Sequence, residues 1–197
     1  MSTRQDRERA PRGVETIQDP PLAQALFGDV RWAWLWLIVR LYLGYLWVSA
    51  GWEKLSSPAW VGSQAGTALT GFLQGALAKT GGEHPAVQGW YAWFIQHVVL
   101  PDVVPWSYVV SFGEFLVGVA LVLGIFTGIA AFFASFMNEN YLLAGSVSVN
   151  PTMLVLAVLL ILAWKTAGWW GLDRWVLPAL GTPWRPGYVF RQQEPEG

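Results

Sequence analysis

Four apolar runs dominate the chain, at about 32–55, 106–126, 128–146 and 151–167. A helix needs about 20 residues to cross the hydrocarbon core of a bilayer, and it satisfies its own backbone hydrogen bonds there. These runs therefore predict an all-α, integral membrane four-helix bundle. Charged residues make up only 13% of the chain, against about 25% in a soluble domain. The length suits one membrane domain, 31–180, between polar arms at 1–30 and 181–197.

Lysine and arginine placement orients the spans. Arg4, Arg7, Arg9, Arg12 and Arg31 precede the first run, and Lys165, Arg174, Arg185 and Arg191 lie at or beyond the end of the fourth. The long loop after the first run carries only Lys54 and Lys79. Positive charge stays on the cytoplasmic side, so both termini are expected there and the loop outside. The first apolar run starts too late and runs too long for a secretory leader, and no small-residue cleavage site follows it. Thr127-Gly128 leaves almost no loop between the second and third spans, which predicts a tight hairpin with Thr127 as N-cap. Asn150-Pro151 opens the fourth span with proline in the first turn.

Within the long loop, Val87, Trp90, Tyr91, Phe94, Ile95, Val98 and Val99 fall on one helical stripe. Residues 65–77 repeat the pattern more weakly, diluted by Gly66, Gly71 and Gly75. The loop thus holds one or two amphipathic interfacial helices that lie on the membrane or cap the bundle. Tryptophans crowd the span ends as aromatic belts, and Trp47 sits well inside a span.

Composition removes several chemistries. Without cysteine the chain has no disulfide, thiolate metal site or iron–sulfur cluster of its own. His84 and His97 both precede the second span, which excludes a bis-histidine haem in the bilayer. No metal site is expected, and a net charge of −1 argues against a nucleic-acid partner.

The chemistry-bearing candidates are polar residues inside the spans. At 1.5 Å per residue, Arg40 lies roughly 13 Å past Arg31 and Glu114 roughly 12 Å past Trp106. Asn138, Glu139 and Asn140 fall mid-way along the third span. A central charge costs about 2.5–3.5 kcal/mol on insertion scales, so these groups are expected to face one another rather than lipid. Arg40, Gly44, Trp47, Gly51 and Lys54 form one stripe; Ser107, Ser111, Glu114 and Gly118 a second; Gly128, Ala131, Ser135, Asn138 and Leu142 a third. Small residues in these stripes permit close helix approach, and Arg40 is expected to fork onto Glu114 or Glu139. The competing reading is an ion pair that only fixes helix register. Asp173-Arg174, after Gly171, read as a capped interfacial helix on spacing alone.

The order of these motifs resembles a known family. Arg40-Leu-Tyr-Leu-Gly44 through Gly51-Trp-Glu-Lys54 in the first span, Gly113-Glu114 through Gly118 and Leu-Gly124-Ile-Phe-Thr127 in the second, and Gly168-Trp-Trp-Gly171-Leu-Asp173 after the fourth are similar to the DoxX family of small four-helix prokaryotic membrane proteins. That family includes DoxD, the membrane subunit of thiosulfate:quinone oxidoreductase. The resemblance implies a multi-pass plasma-membrane protein whose recurring polar positions are Arg40, Lys54, Glu114 and Asp173, with Asn138 and Asn140 in the third span. It implies a quinone-linked oxidoreductase subunit acting on thiosulfate or a related sulfur compound.

In that expectation Arg40 and Glu114 are catalytic. Trp47, Lys54, Asn138, Glu139, Asn140 and Asp173 bind quinone or substrate. The partners are the lipid bilayer, a membrane quinone, and other membrane subunits or further copies of the chain. The alternative is a non-catalytic accessory or assembly subunit of a larger respiratory or photosynthetic complex. A third is a small transporter built by oligomerisation.

Overall fold

The computed structural model describes residues 19–182, all of whose regular elements are helical. The long helices are α1 (Ala33–Leu55), α4 (Val103–Leu123), α5 (Thr127–Leu143) and α6 (Asn150–Leu162). Between α1 and α4 lie α2 (Thr67–Leu77) and α3 (Gly89–Phe94), the latter continuing as a π-helical turn over Ile95–Val99. Two short helices, α7 (Trp164–Ala167) and α8 (Asp173–Ala179), follow α6. Most of both polar arms, with Arg4, Arg7, Arg9, Arg12, Arg185 and Arg191, falls outside the described residues.

The expected all-α class holds. Val30–Leu55 and Val103–Leu123 are long and apolar enough to cross a membrane, and Asn150–Leu162 is a shorter apolar helix. The fourth apolar run is not one helix to residue 167: α6 ends at Leu162, the chain turns at Ala163, and α7 follows.

Glycines set the tightest helix contact. A β-carbon on Gly51 would strike the backbone of Phe115, one on Gly118 the backbone of Val48, and one on Gly44 the Val122 side chain. Backbones this close give α1 and α4 a continuous seam without a strong hydrophobic drive between them. The faces meeting there are the expected ones. Arg40, Leu43, Gly44, Trp47 and Gly51 are buried on α1, and Ser107, Ser111, Glu114, Gly118 and Leu121 on α4. On α5 the buried face is Thr127, Ala130, Ala131, Ala134 and Asn138, rotated from the expected stripe. This rotation turns Glu139 outward to an exposed position.

The bundle core joins Trp36, Leu43, Trp47 and Leu121 to the α5 alanines and to Met153, Ala157 and Leu160 of α6. Ile38, Tyr45, Val109, Leu116, Phe132 and Val155 are exposed around the perimeter. Water penalises such an apolar girdle and lipid does not.

The loop after α1 folds over one end of the bundle. Leu69, Leu73 and Ala76 of α2 meet Val87, Tyr91, Ile95 and Val99, with Ala144 beneath, as a second core. Residues 67–77 are thus a full helix despite their glycines, and the buried stripe of 87–99 is narrower than expected. Trp90 is exposed, because the i, i+4 row through Val87, Tyr91, Ile95 and Val99 carries the packing.

Candidate functional site

The buried charged groups form two layers, not the single cluster expected. The inner layer holds the α4–α5 turn. Arg40 Nη1 donates to the carbonyl oxygens of Leu121 at 2.7 Å and Val122 at 3.2 Å, and Nη2 donates to that of Trp170 at 3.2 Å. The first two carbonyls lie in the last turn of α4, where that of Leu121 also accepts the Gly124 N–H at 3.2 Å and a cation is favoured by the helix dipole. Arg40 therefore does not pair with Glu114 or Glu139.

Across the turn, Asp173 Oδ1 accepts from the Phe126 N–H at 2.6 Å, and Oδ2 accepts from the Thr127 N–H at 2.9 Å. Asp173 is buried and caps the start of α5 from far along the sequence. This overturns Thr127 as N-cap. The N-cap residue is Phe126, in the left-handed region at φ 48° without a capping side chain, and the Thr127 hydroxyl is buried without a partner among the described residues. A helix does begin at Asp173, as the reading of Asp173-Arg174 as a capped interfacial helix expected, but the Asp173 side chain caps α5 and not its own helix. Only Arg174 is exposed; it lies over the Trp169 ring at 5.0 Å. The Asp173 and Leu172 N–H groups donate to the carbonyls of Gly124 and Leu123, so 168–173 is stitched to the turn.

The outer layer lies about 10 Å further along α4, seven residues from Leu121 to Glu114 at 1.5 Å each. Lys54 Nζ stands 2.6 Å from Glu114 Oε2, with the carboxylate 1% exposed and the lysine 17%. The Tyr141 hydroxyl donates to Glu114 Oε1 in a short hydrogen bond. Lys54 also lies over the Trp60 ring at 5.1 Å, and the Trp60 carbonyl accepts from Ser107 Oγ at 2.7 Å. The depth argument placed Arg40 and Glu114 together because it counted both from their nearest span end. α4 begins at Val103 and runs antiparallel to α1, so equal counts from opposite ends give different heights.

Tyr141 also lines an apolar cavity of about 190 Å³ between α4, α5 and the α2–α3 cap. Trp60, Phe72, Phe94, Trp106 and Phe136 supply aromatic walls. Phe136 and Val109, at its rim, are exposed on the bundle perimeter. Its polar edge is Tyr91, whose hydroxyl donates to the Asn140 carbonyl oxygen at 3.0 Å and lies 3.1 Å from its Oδ1. Burial pushes the Tyr91 phenol up to about 12, so it is a neutral donor over the physiological range.

Of the expected site residues, the structure joins Lys54 to Glu114 and sets Asn140 at the cavity. Arg40 and Asp173 are held in the inner layer. Trp47 and Asn138 are buried in the bundle interior, and neither lines this cavity. Glu139 faces outward. Tyr141 and Tyr91 were missed. The available signal for Tyr141 was its spacing, three residues past Asn138 and thus one turn further along the same buried face.

The DoxX family model matches residues 35–139, over half of the chain. The match takes in Arg40, Lys54, Glu114 and Asn138 and stops short of Tyr141 and Asp173. No curated protein and no solved structure matches the chain.

Proposed function

The chain belongs to the DoxX family of membrane proteins, and we propose that it is the quinone-linked membrane subunit of an oxidoreductase. One observation carries this reading. Tyr141 forms part of an apolar, aromatic cavity and ends on the buried Glu114 carboxylate. A quinone site needs an apolar slot for the ring and a group that exchanges protons at its edge. The cavity suits a ring headgroup, with the tail leaving past Val109 and Phe136 into lipid. When bound, the quinone supplies the two-electron, two-proton chemistry. Tyr141 stands between cavity and carboxylate, Glu114 takes or returns the proton, and Lys54 holds the carboxylate charge. Tyr91 and Asn140 orient the ring from the cap side.

Lys54 is already paired, so an oxyanion such as thiosulfate meets no free cation there. We assign sulfur-compound oxidation to a partner subunit. In this reading α1, α4, α5 and α6 all cross a prokaryotic plasma membrane, with both termini cytoplasmic and the α2–α3 cap outside. Impermeant thiol labelling of cysteine-substituted chains tests that arrangement. Glu83→Cys reacts from outside intact cells and Ser2→Cys does not; equal labelling overturns the four-span topology.

The functional test uses the purified full chain in lipid nanodiscs. A short-tailed quinone quenches the fluorescence of Trp60 and Trp106 saturably, and Tyr141→Phe keeps this binding but loses quinone-dependent turnover in the assembled complex. Absence of saturable quenching, with no quinone extracted from the purified protein, overturns the proposal.

A second reading, an accessory subunit, is favoured by Glu139. This carboxylate is exposed on α5 one turn beyond Phe136, itself exposed. A basic side chain on a partner's membrane helix would neutralise it.

A further inference from the structure

The bundle interior holds polar groups that the quinone reading does not use. Asn138 is fully buried, and neither its carboxamide oxygen nor its nitrogen has a hydrogen-bond partner among the described residues. Trp47 is 2% exposed, and its indole N–H likewise has no partner among the described residues. An unpaired buried polar group costs about 1–3 kcal/mol, so two side chains left this way at one level of a packed bundle demand a partner.

Register puts them at one level. Gly118 of α4 packs on the Trp47–Val48 backbone. Glu114 lies four residues from Gly118, and its partner Tyr141 lies three residues from Asn138. α4 and α5 run in opposite directions, so Gly118 and Asn138 both lie about one turn inward of the Glu114–Tyr141 contact. Trp47 belongs to the core cluster against which Tyr141 packs.

We propose that Trp47 and Asn138 form an internal hydration site, one helical turn inward of the Lys54–Glu114–Tyr141 network. Buried water typically makes about three hydrogen bonds to groups that are otherwise unsatisfied. Asn138 offers acceptor and donors, Trp47 a donor. Water held there accepts from the indole and bridges the carboxamide. Its use, as a source of exchangeable protons for Glu114, rests on the quinone-linked reading; its existence does not.

The test is hydroxyl-radical footprinting by X-ray radiolysis of the full chain in nanodiscs without added quinone. Radicals made from internal water oxidise the side chains beside it. Trp36 is the built-in control: equally buried at 2% exposure, but with its indole N–H bonded to the Leu26 carbonyl at 2.8 Å. Trp47 is oxidised several-fold faster than Trp36, and Asn138→Leu removes the difference. Equal, low oxidation of the two tryptophans in the unmodified chain overturns the proposal without any variant having to fold. A chain that oxidises at Trp47 but binds no quinone keeps the hydration site and refutes the quinone reading.

Discussion

The Arg40 guanidinium occupies the space that a β-carbon on Gly124 would fill, and Gly124 itself adopts φ 65°. The turn between α4 and α5 therefore favours glycine there. Gly124→Ala is expected to cost at least about 1–3 kcal/mol through backbone strain and displacement of the guanidinium. Gly75→Ala, in a helix with open space at that site, should instead stabilise by about 0.4–1 kcal/mol. Unfolding in mixed detergent compares the two, and equal effects would contradict the packing described.

Arg40→Met should destabilise by about 1.5–3 kcal/mol, the range for hydrogen bonds made by a charged group. Because Arg40 ends in the inner layer, quinone-dependent activity per folded molecule should be unchanged. Thermal stability and turnover on the same preparation check this; normal stability with lost turnover would return Arg40 to the catalytic role its depth first suggested.

Asp173→Ala removes both acceptors from the start of α5 and should cost about 0.5–2 kcal/mol, the range for loss of an N-cap. Amide exchange of Phe126 and Thr127 should speed up, while that of α2 stays the same. Unchanged protection at these two amides would refute the capping role.

Breaking the outer pair should be worse than removing it. Lys54→Met strands the buried Glu114 carboxylate and should cost about 3–5 kcal/mol. Adding Glu114→Gln to it should recover part of that loss, since no uncompensated charge remains. A double-mutant cycle measures the coupling, and additive effects would mean that the two residues do not interact.

Burial pushes the Tyr91 phenol up to about 12, against about 10 ordinarily. The neutral form is favoured by folding, so this contribution is complete below about pH 10 and declines as pH rises through 12. An ultraviolet difference titration of wild type against Tyr91→Phe should show no phenolate signal from this residue until that range. Ionisation near pH 10 would mean that the cap is open to water.

Periodicity and hydropathy made the long helices legible, because the apolar stripes that pack α1 against α4 are set by residues three and four apart. The α4–α5 hairpin was legible from Thr127-Gly128, but its capping was not. Asp173 acts 46 residues away from Thr127, and no local pattern encodes that contact. Pairing of the charges failed for a similar reason. Counting residues from a span end cannot rank heights until the start of each helix and the sense of its neighbour are known. Glu139 lay outside the buried face because an offset of about 100° from Asn138 is enough to cross from core to perimeter.

The α4–α5 turn is bonded by Arg40 from before it and by Leu172 and Asp173 from after it. A ribosome delivers these in order, and Asp173 emerges 46 residues after Thr127, whose amide it bonds. Until then the end of α4 lacks one arm of its clamp and the start of α5 lacks its cap. A nascent chain halted before Gly168 therefore leaves the Phe126 and Thr127 amides without the carboxylate that bonds them.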